Sequence, residues 1–174
     1  AAHAQEYVFK DQPFESGYLS TDGKTFSINT VNSSGNLCNL EGRLNNNVYR
    51  DGEGCEVRFT FARNKVNVTV PESAREACEE YCGLNAHFVD QYHRLPAACT
   101  ESAAKNTAQR FQAAYRAKNY AQAAQIQQQY VNACNRFMVI TEQMRARNDL
   151  AVAYKNSGNE TACRAALQPL RRYW

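Results

Sequence analysis

Little in this 174-residue chain marks an enzyme. It has no G-x-S-x-G elbow, no P-loop and no G-x-G-x-x-G turn, so the common nucleophile, phosphate and dinucleotide signatures are missing. No C-x-x-C pair occurs, which argues against a zinc ribbon or a thioredoxin-type motif. No apolar run approaches the roughly 18 residues that a membrane-spanning helix needs. The neighbouring carboxylates Glu79 and Glu80 are adjacent in sequence, so they point to diverging directions and read as solvated rather than as an acid/base pair. The expectation is a protein without a catalytic site, cofactor or resident metal.

Cysteine is what the chain does have: Cys38, Cys55, Cys78, Cys82, Cys99, Cys134 and Cys163. Their wide, uneven spacing suits disulfides in an oxidising compartment. "AAHAQE" places Ala2-His3-Ala4, an A-x-A pattern like a signal-peptidase site, ahead of Gln5. Together these predict a periplasmic or secreted protein. Hydrophobic content of 44% and charged content of 21% are those of a globular chain.

Charge is unevenly shared. Residues 1–99 carry nine Lys and Arg against thirteen Asp and Glu, a balance of −4; residues 100–174 carry eleven against four, a balance of +7, and the whole is +3. Seven of the eight glycines also precede residue 99. Composition and charge thus predict two units, 1–99 and 100–174.

The first unit shows period-two patterning. Phe26 and Ile28, then Cys55, Val57, Phe59 and Phe61, then Val66, Val68 and Val70 alternate with polar residues. Half-buried antiparallel strands have that period. "TDGK", "SSGN", "RDGEG" and "ARNK" supply turn chemistry between them. After Pro71 the period changes. Ser73 with Glu76 reads as a capping box, Gly83 as a stop, and a short helix over 73–82 is expected to cover the sheet.

The second unit is rich in Ala and Gln. Ala104, Ala108, Phe111 and Tyr115 form one apolar stripe; Tyr120, Ala123, Ile126, Tyr130, Cys134 and Phe137 form another. "MVITEQMRARNDLAVAYKNSG" and "NETACRAALQPL" add two more helices. An internal echo with an offset of 40 aligns Asn119 with Asn159 and Ala123 with Cys163. The segment "NDLAVAYKNSGNETACRAAL" resembles the helix-turn-helix unit of tetratricopeptide repeats. The fold class expected is therefore α+β: a small antiparallel sheet with a packed helix, then an all-α antiparallel unit, tetratricopeptide-like or a four-helix bundle.

Three pairings are expected among the cysteines: Cys134–Cys163 between adjacent helical stripes, Cys82–Cys99 across the loop after the short helix, and Cys38–Cys55 between strands. Cys78 is left over, although exchange with Cys82 or a strand cysteine is open. Cys78 and Cys82 are i and i+4 on the helix with parallel Cβ vectors, so neither should bond the other. Glu79, Glu80 and a late helix position all oppose a Cys78 thiolate, so it does not read as a redox centre. His87, Asp90 and His93 are spaced by three but lack a tight metal motif, and they read as packed or solvent-facing. Arg145, Arg147, Arg164, Arg171 and Arg172 make the basic helical half a candidate surface for an anionic partner.

"LCNLEG", "GCEVRF", "ACEEYCGLNAHF", "LPAAC" and the helical "NDLAVAY…ACRAAL" together resemble a family of uncharacterised exported proteins of Gram-negative bacteria, over most of residues 24–170. Some relatives look like periplasmic lysozyme inhibitors in their β portion. The exposed Ser-Gly and Tyr loop motif of the established inhibitors is not reproduced, and no site residue is carried over. The resemblance implies structural cysteines and no catalytic residues. The functional expectation is an exported, monomeric, non-enzymatic module that binds a protein, a peptide or an anionic envelope surface, and not nucleic acid. The second expectation is an inhibitor of a host hydrolase such as lysozyme.

Overall fold

The computed structural model describes residues 3–174. Ala2 of the A-x-A pattern lies outside them. The chain divides into two compact units, one ending at Leu95 and one running from Pro96 to Trp174.

The first unit is an eight-stranded antiparallel sheet. Its strands are β1 (Gln5–Gln12), β2 (Glu15–Thr21), β3 (Thr25–Val31), β4 (Leu37–Arg43), β5 (Val48–Arg50), β6 (Glu56–Phe61), β7 (Lys65–Thr69) and β8 (Asp90–Arg94). A helix, α1 (Arg75–Glu79), follows a single 3-10 turn at Glu72–Ala74. The strand order is β4-β3-β2-β1-β8-β7-β6-β5. All four predicted turns fall between strands.

That order forces the sheet to curl. Eight flat strands would hold β4 and β5 about 34 Å apart at ordinary strand spacing. Only residues 44–47 join these two edges, and that link reaches about 17 Å when fully extended. The edges therefore come round towards each other, and the sheet nearly closes into a barrel. Phe26 of β3 lies 5.1 Å from the Tyr49 ring of β5 and 4.9 Å from the Phe59 ring of β6. Gly42 of β4 lets Tyr49 in: a Cβ there would fall 2.4 Å from the Tyr49 ring. Leu19, Ile28, Val57, Val66, Val68 and Tyr92 fill the interior and are fully buried, as expected for a barrel of this strand number.

Segment 70–89 covers one end of the barrel. Ala74, Cys78 and Phe88 are buried in the same core. The capping box does not form: no side chain caps either the 3-10 turn or α1, and Ser73 is exposed. Because the helix ends at Glu79, residues 81–83 are free to run beside β4. Asn39 N–H donates to Tyr81 O at 3.0 Å and Gly83 N–H to Leu37 O at 2.7 Å.

The disulfides are Cys38–Cys82, Cys55–Cys78 and Cys99–Cys134. None is an expected pair. Cys38 and Cys55 do not cross-link neighbouring strands, because β4 and β6 lie towards opposite edges of the sheet. Cys82 reaches Cys38 rather than Cys99 because its backbone bridges that residue. Cys78, expected free, is buried and bonded to Cys55. Cys134 meets Cys99 rather than Cys163, which is left as a partly exposed free thiol. As expected, Cys78 and Cys82 do not bond each other.

In the second unit the helices are α2 (Glu101–Arg116), α3 (Tyr120–Cys134), α4 (Ile140–Asn156) and α5 (Glu160–Leu167), with a closing 3-10 segment, Gln168–Tyr173. Each packs on the next, so α4 stands between the helices that carry Cys134 and Cys163. Phe111, Ala114, Ala123, Ala124, Ile126 and Ala153 share a core in which small residues allow close helix approach. Ala108, expected in the first stripe, is exposed and Ala114 takes its place. The 40-residue echo recurs in the hydrogen bonds. Ala117 and Ser157 N–H donate to Ala113 and Ala153 O, Asn119 and Asn159 N–H to Ala114 and Tyr154 O, and Ala123 and Cys163 N–H to Asn119 and Asn159 O. Lys118 and Gly158 take the left-handed position of each turn.

Peptide mapping without reduction should recover Cys38–Cys82, Cys55–Cys78 and Cys99–Cys134, with only Cys163 alkylated in the native protein. Removing the Cys55–Cys78 pair by double alanine substitution should destabilise the β unit by about 2–4 kcal/mol in denaturant unfolding.

Candidate functional site

Asp11 and Asp90 stand on neighbouring strands. Tyr7 pairs with Arg94 and Val8 with His93 in the β1–β8 ladder, which brings the end of β1, with Asp11, beside the start of β8, with Asp90. His87, three residues before Asp90, completes the group. Its Nε2 lies 3.2 Å from Asp11 Oδ2 and 3.4 Å from Asp90 Oδ2. One ligand atom from each of the three residues falls within 4.8 Å of the others.

The imidazole is held from several sides. The Phe9 ring stacks on it at 5.4 Å with an interplanar angle of 28°. Phe9 in turn occupies space that only a glycine leaves: a Cβ at Gly17, its cross-strand partner, would fall 2.1 Å from the ring. Thr30 Oγ1 donates to His87 O at 2.9 Å, and the buried Tyr92 hydroxyl donates to Phe88 O at 2.7 Å. Asp90 Oδ1 accepts from Gln91 N–H. Burial pushes the Tyr92 phenol up, with the charges of Asp90 and Asp11 adding. The Asp11 carboxyl is held above the usual carboxylate range, chiefly by its hydrogen bond with Asp90, then by burial and Asp90's charge, while His87 opposes the shift. Two carboxylates and one imidazole, with charge that needs neutralising, form a set suited to a proton or a cation.

Sequence spacing found two members of this group and missed the third. His87 and Asp90 come together; His93 does not, being exposed on β8 across from Val8 and Lys65. Asp11 was hidden because Tyr7, Val8 and Phe9 form a continuous apolar run that breaks the alternation by which β1 might be read.

The five arginines do not share one environment. Arg147 is half-buried, donating from Nε to Asn135 Oδ1 at 3.2 Å and from Nη1 to Ala166 O at 3.1 Å. Burial lowers its pKa. Arg164 pairs with Glu160 at 2.9 Å on the surface of α5. Arg145 is exposed on α4. Arg171 and Arg172 line a shallow cleft with Gln168 and Pro169, and the Arg172 guanidinium lies over the Tyr173 ring. No helix among the described residues is long and apolar enough to cross a membrane.

One end of the barrel carries a second feature. The turns after β1, β3 and β5 and segment 70–89 all gather there, because β8 starts where β1 ends and β7 ends where β6 starts. Within the β unit, ten of thirteen Asp and Glu residues lie in stretches 11–16, 32–37, 50–56 and 70–90, against two of nine Lys and Arg, namely Arg50 and Arg75. Phe14 (53% exposed), Leu37 (50%), Leu84 (75%) and Val89 (44%) stand among those acids. The opposite end carries Lys24, Arg43, Arg63, Lys65 and Arg94.

Comparison with protein-family models, curated proteins and solved structures produced no match to this chain.

The Asp11–Asp90 contact sets a pH prediction. A carboxyl held high in the folded state destabilises that state wherever it is ionised, above its folded pKa, and contributes no penalty at pH values below the unfolded value. Asp11→Asn should therefore raise the Tm of chelator-treated protein at neutral pH, by about 1–3 °C for a partly exposed cross-strand pair. The gain should shrink as the pH of the scan falls below the ordinary Asp value of about 3.9, where Asp11 increasingly carries its proton in the unfolded state as well.

Proposed function

We propose that this is an exported, non-enzymatic binding protein whose β unit docks a cationic protein through its capped end. The observation that carries the reading is the charge segregation there: acids gathered at one end, with Phe14, Leu37, Leu84 and Val89 exposed among them. Apolar contact points within a charged rim are how specific interfaces combine affinity with orientation. An acidic face steers a basic partner towards it and disfavours acidic ones. Three disulfides support an oxidising compartment. The helical unit is read as tetratricopeptide-like, on its 40-residue repeat of turn hydrogen bonds. Its arginines support an anionic envelope surface less well, since Arg147 is spent on internal bonds and Arg164 on Glu160.

A second reading makes the partner a cationic hydrolase such as lysozyme and the protein its inhibitor. It is favoured by Leu84, the most exposed of the four apolar residues, on a turn flanked by Glu79, Glu80 and Asp90. Such a knob suits a basic cleft.

Calorimetry against lysozyme, a second cationic protein and an acidic control separates the readings. Binding to the cationic proteins should weaken as salt rises from about 50 to 300 mM. Glu79→Lys with Glu80→Lys, and separately Leu84→Asp, should each weaken it about tenfold or more, while Arg171→Glu with Arg172→Glu leaves it unchanged. Absence of binding to any cationic protein at high micromolar concentration would sink the docking proposal. Binding to lysozyme without slower cell-wall lysis would remove the inhibitor reading alone.

A further inference from the structure

We propose that Asp11, His87 and Asp90 form a binding site for a zinc-class divalent cation. Three independent observations converge on it.

The first is distance. In a tetrahedral zinc site, bonds of about 2.0–2.1 Å put neighbouring ligand atoms about 3.3 Å apart. The His87 Nε2 to Asp11 Oδ2 and Asp90 Oδ2 separations, 3.2 and 3.4 Å, are two edges of that tetrahedron before any ion is placed. The remaining separation, between the two carboxylates, is within 4.8 Å. A small rotation of either Asp side chain would bring it to the same length.

The second is a violated local rule. Like charges held close together on neighbouring strands are destabilising. Asp11 and Asp90, at adjoining ends of neighbouring strands, nevertheless both lie against the His87 Nε2, where almost any other pair would be cheaper. Breaches of local consistency tend to fall at functional positions. A divalent cation between the two carboxylates removes the repulsion; one imidazolium proton balances only half of that charge.

The third is preorganisation around the imidazole. The Phe9 ring, seated over Gly17, stacks on His87, and the Thr30 hydroxyl holds the His87 carbonyl. Supports that fix a ligating ring from outside the ligand set are what metal sites use to orient their histidines. The imidazole also decides the class of ion. Nitrogen beside two carboxylates suits zinc and its transition-metal neighbours, whereas calcium and magnesium prefer oxygen alone. His87 and Asp11 are about two-fifths exposed, so the remaining coordination positions open to solvent.

Zinc titration of the chelator-treated, disulfide-intact full chain, followed by calorimetry and by the imidazole nitrogen resonances, tests this. The expected result is one zinc per chain, a shift of the His87 resonances, and calcium binding at least about a hundredfold weaker. His87→Gln and Asp90→Asn should each lose at least about tenfold in zinc affinity. His93→Gln, outside the cluster on the same strand as Asp90, should lose nothing. Far- and near-ultraviolet circular dichroism of each variant shows that the barrel is intact. Absence of zinc binding at millimolar concentration, unchanged binding in folded His87→Gln, or calcium bound as tightly as zinc would each overturn the proposal. None of these outcomes depends on whether a cationic protein binds.

Discussion

The β unit depends on how its two sheet edges are held. Antiparallel sheets with free edges expose unpaired N–H and C=O groups, and a strand order that begins at β4 and ends at β5 leaves two of them. The four-residue link 44–47 compels the edges to approach, and Tyr49 entering over Gly42 packs them at one level. The rest of the gap is closed by the segment around α1. Cys78 is bonded to Cys55 at the start of β6, and Cys82 to Cys38 in β4, so a single short stretch is bolted to both sides. Its backbone also pairs with β4 through Tyr81 and Gly83, and the Tyr81 hydroxyl donates to Asp51 in the turn after β5. The i, i+4 cysteines are thus not rivals for one partner. They point to two edges.

That closure places everything of functional interest. Once Cys82 is fixed to β4, the chain has only seven residues in which to cross the barrel's end and enter β8 at Asp90. Those residues hold Leu84 and Val89 outward, Phe88 inward and His87 over Phe9. The Asn32 side-chain amide ties Leu84's carbonyl, and Thr30 ties that of His87, so the crossing follows the end of β3. Neither the acidic, apolar-studded end nor the Asp–His–Asp group would exist without the staples that define this path. Reduction should therefore be felt first at the capped end.

The central strands were legible because Phe26/Ile28, Val57/Phe59 and Val66/Val68 alternate cleanly over a one-sided burial pattern. β1 and β8 were not. Tyr7-Val8-Phe9 is continuous, and "DQYHR" offers a single buried residue, Tyr92. Both are strands because their neighbours supply ladders and a place for Tyr92 in the core, which no window of sequence reports. The same gap hid the site. His87 and Asp90 are near in sequence, but Asp11 joins them only because β1 pairs with β8. Disulfide pairing failed for a related reason. Cys38–Cys55 and Cys134–Cys163 presume that elements near in sequence are neighbours in space, whereas the strand order pairs β4 only with β3 and β6 with β5 and β7, and α4 intervenes between α3 and α5. The 40-residue echo was readable because it is local: each turn is set by its own Asn and its own left-handed residue.

The two proposals for the β unit share one electrostatic cause. Gathering ten of thirteen acids at one end raises the energy of the metal-free, unpartnered state through like-charge repulsion. The disulfides allow this, because covalent closure holds the end together against that repulsion. Relief then comes from outside the chain, by cations at two scales. A zinc-class ion reaches the Asp11 and Asp90 carboxylates that meet at His87, while the exposed glutamates of segment 70–80 form no such group among the described residues and suit the spread charge of a basic protein surface. Filling the metal site would lower the negative charge beside Val89 without touching Glu79 and Glu80 near Leu84. The site therefore bears on how strongly a cationic partner is drawn in, and the apolar residues bear on which one stays.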